Sequence, residues 1–255
     1  MNFTPDTFDF DILKDTQIWI VLLVIFFAGI IRGYTGFGSA LLAVPALAFL
    51  YGPVQAVVIE VLIEIPVCLG LLPNAVKHGH RRTVLPMLIM FALFVPVGAL
   101  LLKVADPNIV KILISLFVLF AVILLWQQAR FMRIISPKAG YVIGAISGTS
   151  QGLTGMAGPL FATALLARGE DNITTRANIA ALATGIVFFS VVSFWAFGLL
   201  TAQIFAVAVL ATPAMLLGVW LGALLFHRAL SDKLREVILC FLAITALVTL
   251  WDAVV

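Results

Sequence analysis

Charge is what this sequence has least of. Asp, Glu, Lys and Arg make up 11% of its 255 residues, against roughly 25% in a soluble domain. Hydrophobic residues fill 63% and the mean hydropathy is +1.19, so too few charges exist to clothe a water-facing surface. A soluble globular domain is excluded, and most of the outer surface must face lipid. Cysteine is scarce as well. Cys68 and Cys240 lie inside apolar runs without ligand-spaced neighbours, which excludes a disulfide scaffold and points to packing. The three histidines, His78, His80 and His227, sit in basic linkers and form no recognisable metal set. No metal and no cofactor is expected. A basic leader is absent too: residues 1–15 (MNFTPDTFDFDILKD) are acidic and read as a short extramembrane tail. The formal charge of +3 comes from short basic clusters between apolar runs, the positive-inside pattern, and does not indicate nucleic-acid binding.

What is present is apolar sequence in lengths suited to a bilayer. Runs occupy about 17–31, 39–50, 53–73, 83–102, 109–126, 139–148, 158–167, 177–200, 202–226 and 236–251. The linkers between them are short and carry most of the charge: Lys77–Arg82, Arg130–Lys138, Arg168–Arg176 and His227–Arg235. None is long enough for a second soluble domain, so residues 16–255 read as one transmembrane domain.

The chain repeats itself. GIIRGYTGFGSALLA (29–43) aligns without gaps on GTSQGLTGMAGPLFA (148–162), and VGALLLKVA (97–105) answers LGALLFHRA (221–229). Each half closes near a tryptophan, Trp126 or Trp251. The order of these matches predicts an internal duplication, with one repeat over about 16–129 and another over about 139–255. The arm Ala139–Gly148 would be ~15 Å long as helix, about half of a ~30 Å hydrocarbon core. It therefore enters to mid-membrane and breaks, either turning back or continuing as a broken spanning helix. Re-entrant hairpins put all four basic linkers on one face, leaving Lys14, Lys103 and Lys111 opposite, so the charge bias favours them. The expected fold is an all-α polytopic membrane protein with two repeats, inverted in orientation. Each repeat is a broken or re-entrant helical hairpin plus three transmembrane helices, and both termini are outside. A parallel layout of eight spans is the alternative.

Two glycine-rich breaks, Arg32–Ser39 and Gly148–Gly158, are the first candidates for a site. Unwound backbone at membrane depth is tolerated against protein or a wet cavity. Helix starts that follow such breaks aim N–H groups and positive dipole ends into it, which suits an anion. The candidate substrate-binding residues are Arg32, Gly33, Thr35, Gly36, Phe37, Gly38 and Ser39 in the first break. Those of the second are Ser150, Gln151, Gly152, Thr154, Gly155, Met156 and Gly158, with Asn178 on the following span. The bland alternative is that these glycines serve close helix packing. Glu60 and Glu64, four residues apart, share one helix face in an otherwise apolar span. A carboxylate there is paired, protonated or beside water, so both are candidate proton-coupling groups, with Arg32 as the obvious partner. A buried ion pair that fixes packing is the competing reading.

Two motifs mislead. Gly148–Gly152 (GTSQG) matches the G-x-S-x-G elbow, but no strand–turn–helix context or base accompanies Ser150, so no enzyme is expected. Asn172-Ile173-Thr174 forms a glycosylation sequon, which has no meaning on an inner face.

GFGSALLAVPAL (36–47) and GLTGMAGPLFATALL (152–166) resemble the paired pattern of the TauE/SafE sulfite exporter family, the DUF81-type permeases, and the resemblance extends over 17–252. It implies a bacterial inner-membrane transporter of small anions, sulfur-containing ones such as sulfite or sulfonates, or small organic acids. There are departures. The family's triple glycine is reduced to Gly38-Ser39-Ala40 and Ala157-Gly158-Pro159. A hydroxyl pair on the following span is replaced by Ile59 and Glu60 in one half and by Ala180 and Ala181 in the other. Transport as a class survives these changes, while sulfite as the substrate is put in doubt. The expected partners are a small anion and the lipid bilayer, and a homo-oligomer is left open. An anion channel and a membrane scaffold are the rival functions.

Overall fold

The computed structural model describes residues 16–127, 139–227, 242 and 244–251, and among them every regular element is helical. The tail 1–15, the linker Arg130–Lys138, the stretch after His227 and Cys240 lie outside the described residues. In chain order, α1 spans Thr16–Thr35, α2 Ser39–Tyr51, α3 Pro53–His78, α4 Arg81–Val104 and α5 Pro107–Trp126. They are followed by α6 Gly140–Thr154, α7 Gly158–Leu166, α8 Asn172–Ala196 and α9 Ala202–His227, and residues 244–251 are helical as well. Six helices (α1, α3, α4, α5, α8 and α9) are long and apolar enough to cross a membrane. α2, α6 and α7, with 13, 15 and 9 residues, are shorter. Helix satisfies its own backbone groups, which lipid cannot do. All five tryptophans, Trp19, Trp126, Trp195, Trp220 and Trp251, are exposed, as expected where aromatic rings meet lipid and its interface.

Contacts between helices fix their directions. α4 and α8 start together, where Asn178 accepts from the His80 N–H, and end together, where the Lys103 ammonium reaches the Phe197 carbonyl. They are parallel. α3 runs against α8, since Cys68 meets Thr184 and Gly79 lies by Asn178. α2 runs against α3: Gly52 alone joins them, and Ser39 at the start of α2 bonds Glu64 midway along α3.

The most extensive packing pairs α4 with α6 and α1 with α9, and both pairs are parallel and glycine-faced. A Cβ at Gly152 would overlap the Val95 carbonyl, and one at Gly98 the Thr149 carbonyl. On the other side of the molecule, Gly33 stands in the same way on Val219, and Gly222 on Ile30. Removing the side chain lets two backbones touch, which is how helices associate where no hydrophobic drive separates them from lipid.

It follows that α1 descends beside α9 from the face where α8 ends, and α2 climbs back to that face. α6 rises beside α4 from the opposite face, and α7 returns to it, where Glu170 bonds Thr83. Both broken segments are therefore hairpins entering from opposite faces, and neither crosses as a broken spanning helix. Lys77–Arg82 and Arg168–Arg176 share one face, and the described ends of α6 and α9 that flank the other two basic linkers point to it. Lys103 lies at the opposite face.

Candidate functional site

Both breaks are real interruptions of helix. α1 ends at Thr35 and α2 begins at Ser39, with Gly36 at φ 83° and Gly38 at φ 99°. α6 ends at Thr154 and α7 begins at Gly158, with Gly155 at φ 71°. Only a residue lacking Cβ enters this left-handed region without strain. The two tips meet: Gly158 sits against the Phe37 side chain, and Gly155 against Val44 and Val57.

Between them lies a cavity with ≈ 50 Å³ of free space, several times the ~10–15 Å³ that one water needs. Arg32, Phe37, Gly38, Ser39, Ala40 and Leu41 line it from the first hairpin, and Glu60, Val61 and Glu64 from α3. The second hairpin contributes Gln151, Gly155, Met156, Ala157, Gly158, Pro159 and Phe161, and α8 adds Ala183, Ile186 and Val187. The cavity sits deep: Glu64 is the twelfth of the 26 residues of α3, so at ~1.5 Å per residue it is near the middle of the span.

Arg32, 5% exposed, is the one cation in this lining. Its Nη2 is 3.0 Å from Glu64 Oε2, its Nη1 donates to the Gly36 carbonyl, and its Nε has no protein partner. The Ser39 hydroxyl donates to the other oxygen of Glu64. Glu60 is treated differently. It is 1% exposed and neither carboxyl oxygen has a hydrogen-bond partner.

The hydroxyls of the breaks serve the backbone. The Thr35 hydroxyl has one proton to donate and stands within reach of the Phe37 and Ile31 carbonyls; Ser150 donates to the Met156 carbonyl, and Thr154 to the Ser150 carbonyl. With Arg32 on the Gly36 carbonyl, the break carbonyls named here are capped from within. The helix starts are the reverse case. Asp106 and Asp171 cap α5 and α8, whereas α2 and α7 begin at Gly38 and Ala157 with no side-chain cap, as α3, α4 and α6 do elsewhere at Gly52, His80 and Ala139. α2 brings the N–H groups of Ser39 and Ala40 to the cavity and α7 that of Gly158, since Pro159 has none and Leu160 bonds the Ala157 carbonyl; both positive dipole ends lie there. Acceptors are covered and donors are free, which favours an anion.

Of the candidate binding residues, the cavity gathers Arg32, Phe37, Gly38, Ser39, Gln151, Gly155, Met156 and Gly158, and both glutamates. Gly33 and Gly152 pack against α9 and α4 instead. Gly36, Thr35, Ser150 and Thr154 shape the breaks without lining the cavity. Asn178 lies outside the cavity lining. It donates to Glu170 and accepts from the His80 N–H at the basic face, away from the cavity, because α8 enters from that face and reaches cavity depth only at Ala183. Sequence reasoning passed over Glu170, which accepts from Thr83, Arg168 and Asn178 and ties the α3–α4 turn to the α7–α8 turn. An acidic residue within a basic linker was the available signal. It also passed over the apolar wall that α8 gives the cavity through Ala183, Ile186 and Val187.

No curated protein and no solved structure matches the chain. The family model described as "Sulfite exporter TauE/SafE" matches residues 21–249, which takes in both hairpins, the cavity between them and the helices that carry it. On that extent the protein is a multi-pass membrane protein and belongs to the TauE/SafE sulfite exporter family, a family of transporters.

Proposed function

We propose that the protein is a secondary transporter that carries a small anion across a bacterial inner membrane, with proton movement coupled to the anion. The anion is sulfur-containing, such as sulfite or a sulfonate, or a small carboxylate. One observation carries this reading: the starts of α2 and α7, neither with a side-chain cap, and Arg32, the one cation of the lining, meet at one cavity at mid-depth. Discontinuous helices with N-termini aimed at an anion near the midplane are a recurrent design of secondary transporters.

An inverted duplication underlies the arrangement. Supporting it, the aligned glycines Gly33 and Gly152 meet the aligned pair Gly222 and Gly98 through carbonyls at the same offset, and the two hairpins run in opposite directions. The basic linker face is cytoplasmic, on the positive-inside bias.

The test is binding followed by flux. Purified protein is heated with sulfite, methanesulfonate, lactate or chloride, since a ligand selective for the native state raises apparent stability. Stabilisation by one of the oxyanions, lost in Arg32→Gln, is expected, together with saturable uptake of that anion into proteoliposomes. Uptake of none of them by well-folded protein would overturn the reading.

A further inference from the structure

The two cavity glutamates are not equivalent, and the difference bears on how the anion is coupled. Glu64 has both oxygens engaged, one by Arg32 and the other by Ser39. Glu60, one turn away on the same face, is buried with both oxygens unpartnered and lines the same cavity. We infer that Glu60 alone carries the coupling proton, one per anion, and that the protein is an electroneutral symporter of monoanions in which Glu64 serves as the fixed counter-ion of Arg32. This rests on the anion-transport reading above.

The argument is a count of charge. Among the described residues, the groups that face Glu60 across the cavity are Arg32 from α1, Glu64 from α3 itself, the neutral Ser39 from α2 and the neutral Gln151 from α6; α7 and α8 present apolar side chains. Arg32 and Glu64 cancel. With the cavity empty and Glu60 ionised, one negative charge remains. With a monoanion bound and Glu60 carrying a proton, one negative charge again remains. The empty and loaded forms then cross the membrane at the same electrostatic cost. A monoanion beside an ionised Glu60 would leave two negative charges in a low-dielectric cavity, where repulsion between them is strong. A dianion would leave two even with the proton in place.

The anion therefore binds with the proton, and by linkage each raises the other's affinity by the same factor. A proton suits Glu60 better than a metal cation does. Hard cations ask for about six oxygens, whereas the Glu64 oxygens are taken and the break carbonyls named above are capped from within. The proton released on unloading returns to water with the anion, so each cycle moves one of each and no net charge.

The experiment uses the full chain in proteoliposomes with methanesulfonate, a monoanion at every working pH, or with lactate if methanesulfonate is not taken up. An internal pH dye reports protons, and potassium with valinomycin sets the voltage. Uptake is expected to acidify the lumen, to be driven by an inward proton gradient, and to be indifferent to voltage. Glu60→Gln should lower gradient-driven accumulation by about tenfold, a typical size for coupled sites, and anion exchange by that variant should lose its dependence on pH. Glu60→Asp should restore part of the coupling, and Glu64→Gln should lose exchange itself. Saturable uptake that follows voltage without acidification, or Glu60→Gln with intact gradient-driven accumulation, overturns the proton assignment and leaves anion transport standing. No saturable uptake of either probe by the wild-type chain overturns both.

Discussion

At the scale of single residues, the Arg32–Glu64 pair is the ion pair within the cavity lining. Removing one partner of a buried pair leaves an uncompensated charge and costs about 3–5 kcal/mol, while neutralising both is far milder. Arg32→Met should therefore lower the thermal midpoint in detergent sharply, and Arg32→Met with Glu64→Leu should recover much of the loss. Equal destabilisation of the single and double variants would show that the pair is not coupled. Asp171 provides a smaller effect outside the membrane. Its carboxylate is held below the usual carboxylate range by the Thr174 hydroxyl and by the Thr174 and Ile173 N–H groups that it caps. A depressed folded-state value means that the stabilisation is complete above the unfolded value, about pH 4, and fades as pH falls through the folded one. Thermal scans of Asp171→Ala should be flatter than the wild type in that acid window, and coincide with it in slope near neutrality.

At the scale of elements, the bundle is held by glycine-faced pairs. Adding a methyl at Gly33 or Gly152 drives it into a facing carbonyl, and overpacking of this kind costs about 1–3 kcal/mol. Gly70 has the opposite surroundings: it is exposed within α3, with nothing within 4 Å of a built Cβ. Gly70→Ala should be neutral or gain up to about 1 kcal/mol of helix propensity. Melting curves of Gly33→Ala, Gly152→Ala and Gly70→Ala test the contrast, and equal midpoints would count against tight packing. The hairpin form of the breaks was legible from charge, since it puts the basic linkers on one face. The site inside it was half legible. Two carboxylates at helical spacing and one nearby arginine pointed to a pair, yet no spacing rule says which glutamate Arg32 takes. That choice depends on how deep the tip of α1 sits beside α3. Thr35, Ser150 and Thr154 looked like ligands because hydroxyls near glycines suit anions. In the structure Thr35 and Ser150 reach the Phe37 and Met156 carbonyls within the breaks, and Thr154 reaches the Ser150 carbonyl one turn back in its own helix.

At the scale of the whole molecule, the two hairpins and two faces define an orientation that can be measured. With Cys68 and Cys240 replaced, single cysteines at His78 and at Lys103 should react with membrane-impermeant reagents from opposite sides of intact cells. Labelling from one side would break the topology drawn here. Glu170 and Asn178 join the turns of the two halves at the basic face. Loosening that tie by Asn178→Ala should ease separation of the turns and raise cysteine labelling at His78 about tenfold or more, since the lost bond to the Glu170 carboxylate alone removes about 1.5–3 kcal/mol.

The sequence by itself determined the membrane class, the helical content, the positions of both breaks and the residues available to a polar cavity. Those follow from local quantities: hydropathy over a span, charge per linker, and glycine where backbone must depart from helix. Tertiary structure alone decided that the breaks meet, that Glu64 and not Glu60 holds Arg32, and that Asn178 belongs to a tie between turns. Such outcomes depend on the relative depth and rotation of helices distant in the chain, which are fixed by packing between backbones and are not written in any one segment.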